Sequence, residues 1–242
     1  MRKILFPLYV LYQICFAWWV GILATMITAT LILIFGKYIP VKNGDYYPAL
    51  VWCRFMCFLF LIPVRVKGRE NVDYSKNHIF VANHQGMFDI FALYGYINQN
   101  FKWMMKDTLR KVPILGLACA ETDHIYVNRT TPQKDILRKA QKVIKEGKSM
   151  TIFAEGTRSA NGKLGRFKKG AFVVASLTRS DVIPVAIQGS YDIMPKSAIF
   201  MRWSPITITF HKPIEMQGKG AEAVDNLMAE TRAVIAKTLG EE

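Results

Sequence analysis

The sequence predicts an α/β domain over residues 65–242, preceded in residues 1–64 by apolar, membrane-associated helices. Three observations carry this. From residue 78 onward, short β-branched and aromatic runs alternate with helical patterns. Residues 4–35 contain no charged side chain. A second apolar stretch, residues 48–64, contains a single charge, Arg54.

The first stretch is long enough to span a bilayer core or to bend within it. A signal peptide would show a much shorter apolar run and small residues at a cleavage site, and neither follows Arg2 and Lys3, so the segment is expected in the mature chain. In the second stretch a charge at bilayer depth is costly unless it snorkels or finds a partner, which favours an interfacial or re-entrant helix. The connector "GKYIPVKNGDYY" (36–47), with Lys37 and Lys42, is rich in turn residues and makes the pair a two-helix membrane hairpin. Lysines and arginines flank both ends, so they leave the orientation open. The rest is expected on the cytoplasmic side.

The candidate strands are "HIFVA" (78–82), "FKWMM" (101–105), "HIYV" (124–127), "MTIFA" (150–154), "DVIPVAI" (181–187) and "ITITF" (206–210). Between the third and fourth lies "TPQKDILRKAQKVIKEGK" (131–148), with Thr131 as N-cap, Pro132 in the first turn and Gly147 as the stop. Its apolar positions Ile136, Leu137, Ala140, Val143 and Ile144 fall at helical spacing and suit one face of a sheet. A last helix, around 221–239, closes the chain.

Composition narrows the partners. The 242 residues are 51% hydrophobic with a mean hydropathy of +0.15, which favours a membrane segment plus a soluble domain over one large core. A formal charge of +14 suits nucleic acid, anionic lipid or an anionic substrate. Beside a membrane segment anionic lipid is the simplest partner, and many of the aromatics lie in the apolar N-terminal part rather than among the basic residues, so nucleic acid is disfavoured. Cys15, Cys53, Cys57 and Cys119 show no metal-binding or disulfide spacing.

Functional groups in open α/β sheets gather beyond strand ends. "VANHQGMFDIF" (81–91) places His84 and Asp89 there. Within one continuous helix, five steps of about 100° would set the two roughly 140° apart. With the strand ending near Ala82, a turn through Gly86 and a helix starting near Phe88, Asp89 can reach back to the imidazole. An aspartate on one ring nitrogen fixes the tautomer and frees the other to take a proton from a hydroxyl. The competing reading is a surface histidine near a helix-capping acid. His78 and His124 open strands and His211 follows one, so these three read as structural or surface residues.

"TIFAEGTRSANGKLGRFKKGAF" (151–172) runs from a strand into a loop with Glu155, Gly156, Thr157 and Arg158, then Arg166, Lys168 and Lys169 ahead of a helix. Clustered cations and backbone amides suit a phosphate; a solvated basic loop is the alternative. Lys106 ends one strand and Arg129 follows another. No Gly-x-Ser-x-Gly elbow is present, which leaves a serine hydrolase without support.

"NHQGMFD" (83–89), "HIYVNR" (124–129), "EGTRS" (155–159) and "VIPVAI" (182–187) resemble, in order and rough spacing, the four blocks of the glycerolipid (HxxxxD) acyltransferases, over about residues 65–215. The pattern is most similar to the bacterial branch acting on 1-acylglycerol-3-phosphate. The resemblance implies a mixed β-sheet flanked by helices, glycerol-3-phosphate acyltransferase-like, on a two-helix membrane anchor. It implies transfer of a fatty acyl group from acyl-CoA or acyl carrier protein to the 2-hydroxyl of lysophosphatidic acid, at the cytoplasmic face of a bacterial inner membrane, with no cofactor or metal.

By matching position, His84 is then the general base and Asp89 orients it. Lys106, Arg129, Glu155, Gly156, Thr157 and Arg158 hold the glycerol phosphate. Pro184 shapes a loop near the acyl donor. The chain departs from the family pattern at Ala154, where proline is usual, and at Asp123, where glycine is usual; Asp123 is expected to bear on the acceptor pocket. The rival readings are another lysophospholipid or amino-lipid acceptor, a thioesterase using water, and a non-catalytic basic membrane adaptor.

Overall fold

In the computed structural model, the described residues are 2–35, 45–112, 114–128, 132–195, 198, 200–218 and 220–241. Among them, seven strands form one mixed sheet in the order β1-β7-β6-β2-β5-β3-β4. The strands are β1 (Val64–Lys67), β2 (Ile79–Ala82), β3 (Phe101–Lys106), β4 (Ile125–Val127), β5 (Ser149–Phe153), β6 (Val182–Gln188) and β7 (Ile206–Phe210). Strands β6, β2, β5, β3 and β4 run parallel, while β7 is antiparallel to β6 and parallel to β1. The central strand β2 is buried along its whole length, as the unbroken run Ile79–Ala82 requires of a parallel strand covered on both faces.

One face of the sheet carries α3 (Tyr46–Leu59) and α4 (Phe88–Tyr96); their Met56, Leu59, Phe88 and Leu93 share a core with Phe80, Phe101 and Ile208. The other face carries α6 (Gln133–Lys145), α7 (Gly170–Thr178) and α9 (Gly220–Leu239), through Val143, Val174 and Leu227. The short helices α5 (Leu115–Ala120) and α8 (Ser190–Ile193) complete the connections.

The charge-free N-terminal stretch is helical from α1 (Arg2–Tyr12) through a wide π-helical turn at Gln13–Ala17 into α2 (Trp18–Leu33). Leu5–Leu33 is long and apolar enough to cross a membrane. The second apolar stretch is a shorter helix, α3, and most of what it buries lies against α4 and the sheet core. Its Arg54 finds the partners such a charge needs: Nε donates to Gly95 O at 2.6 Å and Nη2 to Asn98 Oδ1 at 2.8 Å. The fully buried Lys102 on β3 pairs with Asp45 at the start of α3, which ties that helix to the sheet. Burial pushes the Lys102 ammonium below its usual range against the pull of Asp45.

Several local expectations are corrected. Pro132 sits in extended conformation ahead of α6 rather than in its first turn; Thr131 lies outside the described residues. Pro184 lies inside β6 rather than in a loop. The β6–β7 ladder begins one residue later, at Val185; Pro184 O accepts from His211 N at 3.0 Å, so the missing N–H forgoes only the return bond at the end of the ladder. Asp123 precedes β4, at the sheet edge opposite the strand ends that carry the motifs, and pairs with Lys148 at 2.8 Å. Its φ of +56° explains why glycine suits that position: it is a left-handed turn residue and not part of the acceptor pocket.

Candidate active site

Because five strands are parallel, Ala82, Phe153, Lys106, Val127 and Gln188 all end at one edge of the sheet, and the motif residues follow them. Asn83 fastens the loop after β2 to β6: its Nδ2 donates to Ile187 O at 2.9 Å, and its Oδ1 accepts from Ile187 N at 2.8 Å. The chain then turns through Gly86 and enters α4 at Phe88, placing Asp89 in the first helical turn.

Asp89 reaches back as the broken strand–turn–helix geometry requires. Its Oδ2 lies 2.8 Å from His84 Nδ1 and accepts from Gln85 N at 2.6 Å and Gly86 N at 2.9 Å. Its Oδ1 accepts from the Ser190 hydroxyl. The Asp89 side chain is fully buried, while that of His84 is 12% exposed. The imidazole lies flat on Phe153, 3.8 Å between ring centroids and 9° from parallel, and Phe153 in turn stacks on Trp103 at 5.2 Å. Held on a face and at Nδ1, the ring leaves Nε2 without a hydrogen-bond partner among the described residues.

Glu155 follows β5 and is buried. Its Oε1 accepts from His84 N and its Oε2 from Gly165 N, both at 2.9 Å. Burial raises its pKa, and the two main-chain donors pull it down. With each oxygen on an amide, Glu155 joins the histidine turn to the cationic loop. Ser159 N donates to His84 O at 2.8 Å, a second tie between the same segments. Ala154 N donates to Ala82 O at 3.0 Å, a bond that a proline there would forgo.

Gly156 has φ +69°, and a Cβ there would stand 2.8 Å from Lys168 Nζ, so the Lys168 ammonium lies over this glycine. Gly156 and Thr157 are exposed and Arg158 is half-buried. Lys169 is drawn away to Asp225. Lys106 is exposed at the end of β3, but strand alternation places it on the face of Met104, opposite Trp103 and the imidazole stack. Arg129 lies outside the described residues. Sequence reasoning missed Ser190 and Phe153, which reach Asp89 and His84 respectively only through the sheet order.

Comparison with known proteins follows the same geometry. The acyltransferase family profile matches residues 63–188. The chloroplastic 1-acyl-sn-glycerol-3-phosphate acyltransferase of Arabidopsis thaliana is 32% identical over 229 residues, 90% of this chain and 62% of that protein. A Pseudomonas aeruginosa 1-acyl-sn-glycerol-3-phosphate acyltransferase is 26% identical across 90% of this chain and 86% of its own length. The crystal structure of the 1-acyl-sn-glycerophosphate acyltransferase PlsC from Thermotoga maritima superposes with a TM-score of 0.82 at 25% identity, covering 100% of this chain and 97% of that one. The chain spans less than two thirds of the Arabidopsis thaliana, Brassica napus and Chlamydomonas reinhardtii relatives, between 62% and 66% of their length. The chain belongs to the acyltransferase family.

Proposed function

We propose that this protein is a membrane-associated 1-acylglycerol-3-phosphate acyltransferase, moving a fatty acyl group from acyl-CoA or acyl carrier protein to the 2-hydroxyl of lysophosphatidic acid to give phosphatidic acid. The observation that carries it is the His84–Asp89 pair, oriented with Nε2 free, beside the Gly156–Arg158 loop. The names of the relatives support the acceptor. The exposed apolar side chains of the N-terminal helix, among them Leu8, Leu11, Trp19, Ile22 and Leu23, suit an enzyme whose acceptor lies in a bilayer.

In this reading the acceptor hydroxyl gives its proton to His84 Nε2 as its oxygen attacks the thioester carbonyl carbon. The carbon–sulfur bond breaks, and the departing thiolate takes the proton back from the imidazolium. Arg158 and Lys168 neutralise the acceptor phosphate, and part of the +14 charge serves anionic lipid and donor phosphates. Neither a metal nor a cofactor enters these steps.

The test is thiol release from acyl-CoA by purified protein in detergent, with and without lysophosphatidic acid, for the wild type and His84→Ala. Release that needs both the lysolipid and His84 is expected. Release without any lysolipid makes the protein a thioesterase, and undiminished turnover in His84→Ala defeats the mechanism.

A further inference from the structure

We infer that Ser190 is a positioning residue of this site, its hydroxyl holding the Asp89 carboxylate in the orientation that aims Oδ2 at His84 Nδ1. The inference rests on His84 acting as the base.

Ser190 and Asp89 are both fully buried, so no solvent replaces this hydroxyl as a donor. The Asp89 oxygens carry unequal loads. Oδ2 faces His84 Nδ1, Gln85 N and Gly86 N, whereas Oδ1 has the Ser190 hydroxyl as its one partner among the described residues. A carboxylate turns easily about its last torsion. With Oδ1 pinned, rotation would cost hydrogen bonds at both oxygens. With Oδ1 left bare in a buried site, the group gains by turning or by taking up a proton.

The backbone is shaped to deliver this hydroxyl. Ser190 follows Gly189, whose φ is +89° and where a Cβ would fall 2.2 Å from Pro205 O. On the facing turn, a Cβ at Gly86 would fall 2.6 Å from Ser190 O. Two positions that exclude a side chain therefore bring the end of β6 onto the histidine turn, 101 residues apart in sequence. The titratable groups facing Asp89 are His84 from its own turn and Glu155 from the loop after β5.

Removing the hydroxyl is expected to lower kcat by about ten- to hundredfold, the scale of one hydrogen bond to a charged group, with KM for lysolipid and thioester little changed. Ser190→Ala is the test, with Ser190→Thr, which keeps the hydroxyl, expected to recover most of the loss. Thermal melting of both variants separates a folding defect from a change at the site. Wild-type kcat in Ser190→Ala would overturn the inference, as would a Ser190→Thr variant that falls equally far. Nitrogen chemical shifts of the His84 ring supply a readout independent of turnover: a change in Nδ1 protonation or exchange in Ser190→Ala supports the inference, and an unchanged ring overturns it. Absence of lysolipid-dependent transfer in the wild type would instead count against the proposed function.

Discussion

A carboxylate oxygen accepts hydrogen bonds and donates none, and at Asp89 that decides the state of its neighbour. Since Oδ2 already accepts from two main-chain amides, its contact with His84 Nδ1 is satisfied when Nδ1 carries the proton, leaving Nε2 as the basic nitrogen. Asp89→Asn keeps the volume and breaks this logic, because an amide nitrogen turned toward Gln85 N and Gly86 N sets donor against donor. If the amide oxygen takes those two bonds instead, its nitrogen points at the Ser190 hydroxyl. The first arrangement disturbs the tautomer; in the second the hydroxyl accepts from the amide and the tautomer stands, but the charge that steadies the imidazolium is gone. Turnover is expected to fall by roughly a thousandfold or more, as when a histidine loses its orienting acid. Steady-state thiol release at matched protein concentration checks it. The pair was legible in sequence because a glycine between the two residues permits the turn and the spacing rules out one continuous helix. Ser190 on Asp89, Phe153 on His84 and the amide partners of Glu155 were not, because strand order, which no local pattern encodes, brings these segments together. Asp123 was misjudged for a related reason: a position favoring glycine reports backbone conformation at the far edge, not contact with a substrate.

Among the elements, the N-terminal helix shows how an apolar run is joined to the domain. Gln13, at the start of the π-helical turn, is fully buried; its Nε2 donates to Met201 O and its Oε1 accepts from Met201 N, both at 3.0 Å. A wide turn of this kind re-aims the helix, and here the amide pins it to the chain ahead of β7. Gln13→Leu would match the volume and leave two buried main-chain groups unpaired, at about 1–3 kcal/mol each. For a chain of this size that corresponds to a drop of about 5 °C or more in Tm, read by thermal melting in detergent; an unchanged Tm would mean that the tether is slack. The sequence marked Gln13 only as one polar residue in an apolar run. All six strands read from β-branched and aromatic runs are present, with no end shifted by more than one residue. The seventh, β1, alternates Val64, Arg65, Val66 and Lys67 between Pro63 and Gly68, but it is only four residues long and its first residue belongs to the apolar stretch 48–64, which masked it. The helix α3 was legible as an element, yet its packing was not: an apolar segment suits a bilayer and a protein core equally until its neighbours are known.

Over the whole molecule, one sheet separates two helical layers, and the titratable groups buried around it set its response to acid. His124 Nδ1 accepts from Trp103 N at 3.2 Å, a bond open only to the neutral ring. Burial, with Lys102 adding repulsion, pushes the His124 pKa down to about 3, and burial likewise lowers that of His211, whose Nε2 meets Thr238 Oγ1 at 3.0 Å. In the unfolded chain both histidines titrate near 6.5. Below that pH the unfolded state takes up protons that the fold refuses, so the stability present above about pH 6.5 is lost progressively as pH falls toward the folded values. Glu155 acts in the opposite sense. Its pKa is raised in the fold, so the cost of burying its charge is full above that value and is relieved by protonation below it. The His124 shift, down to about 3, is large, and His211 adds to it in the same sense, so the loss leads. Tm is expected to be level between about pH 8 and 7 and to decline from about 6.5 toward 5, measured by melting in detergent at constant ionic strength. His124→Asn, which has no ring to charge, should flatten the decline; a Tm that rises on acidification would show Glu155 to be dominant. The loss also bears on the site, since Trp103 backs Phe153, and Phe153 backs the imidazole of His84. Turnover should therefore be lost below the pH at which the fold loosens, in step with the fall in Tm.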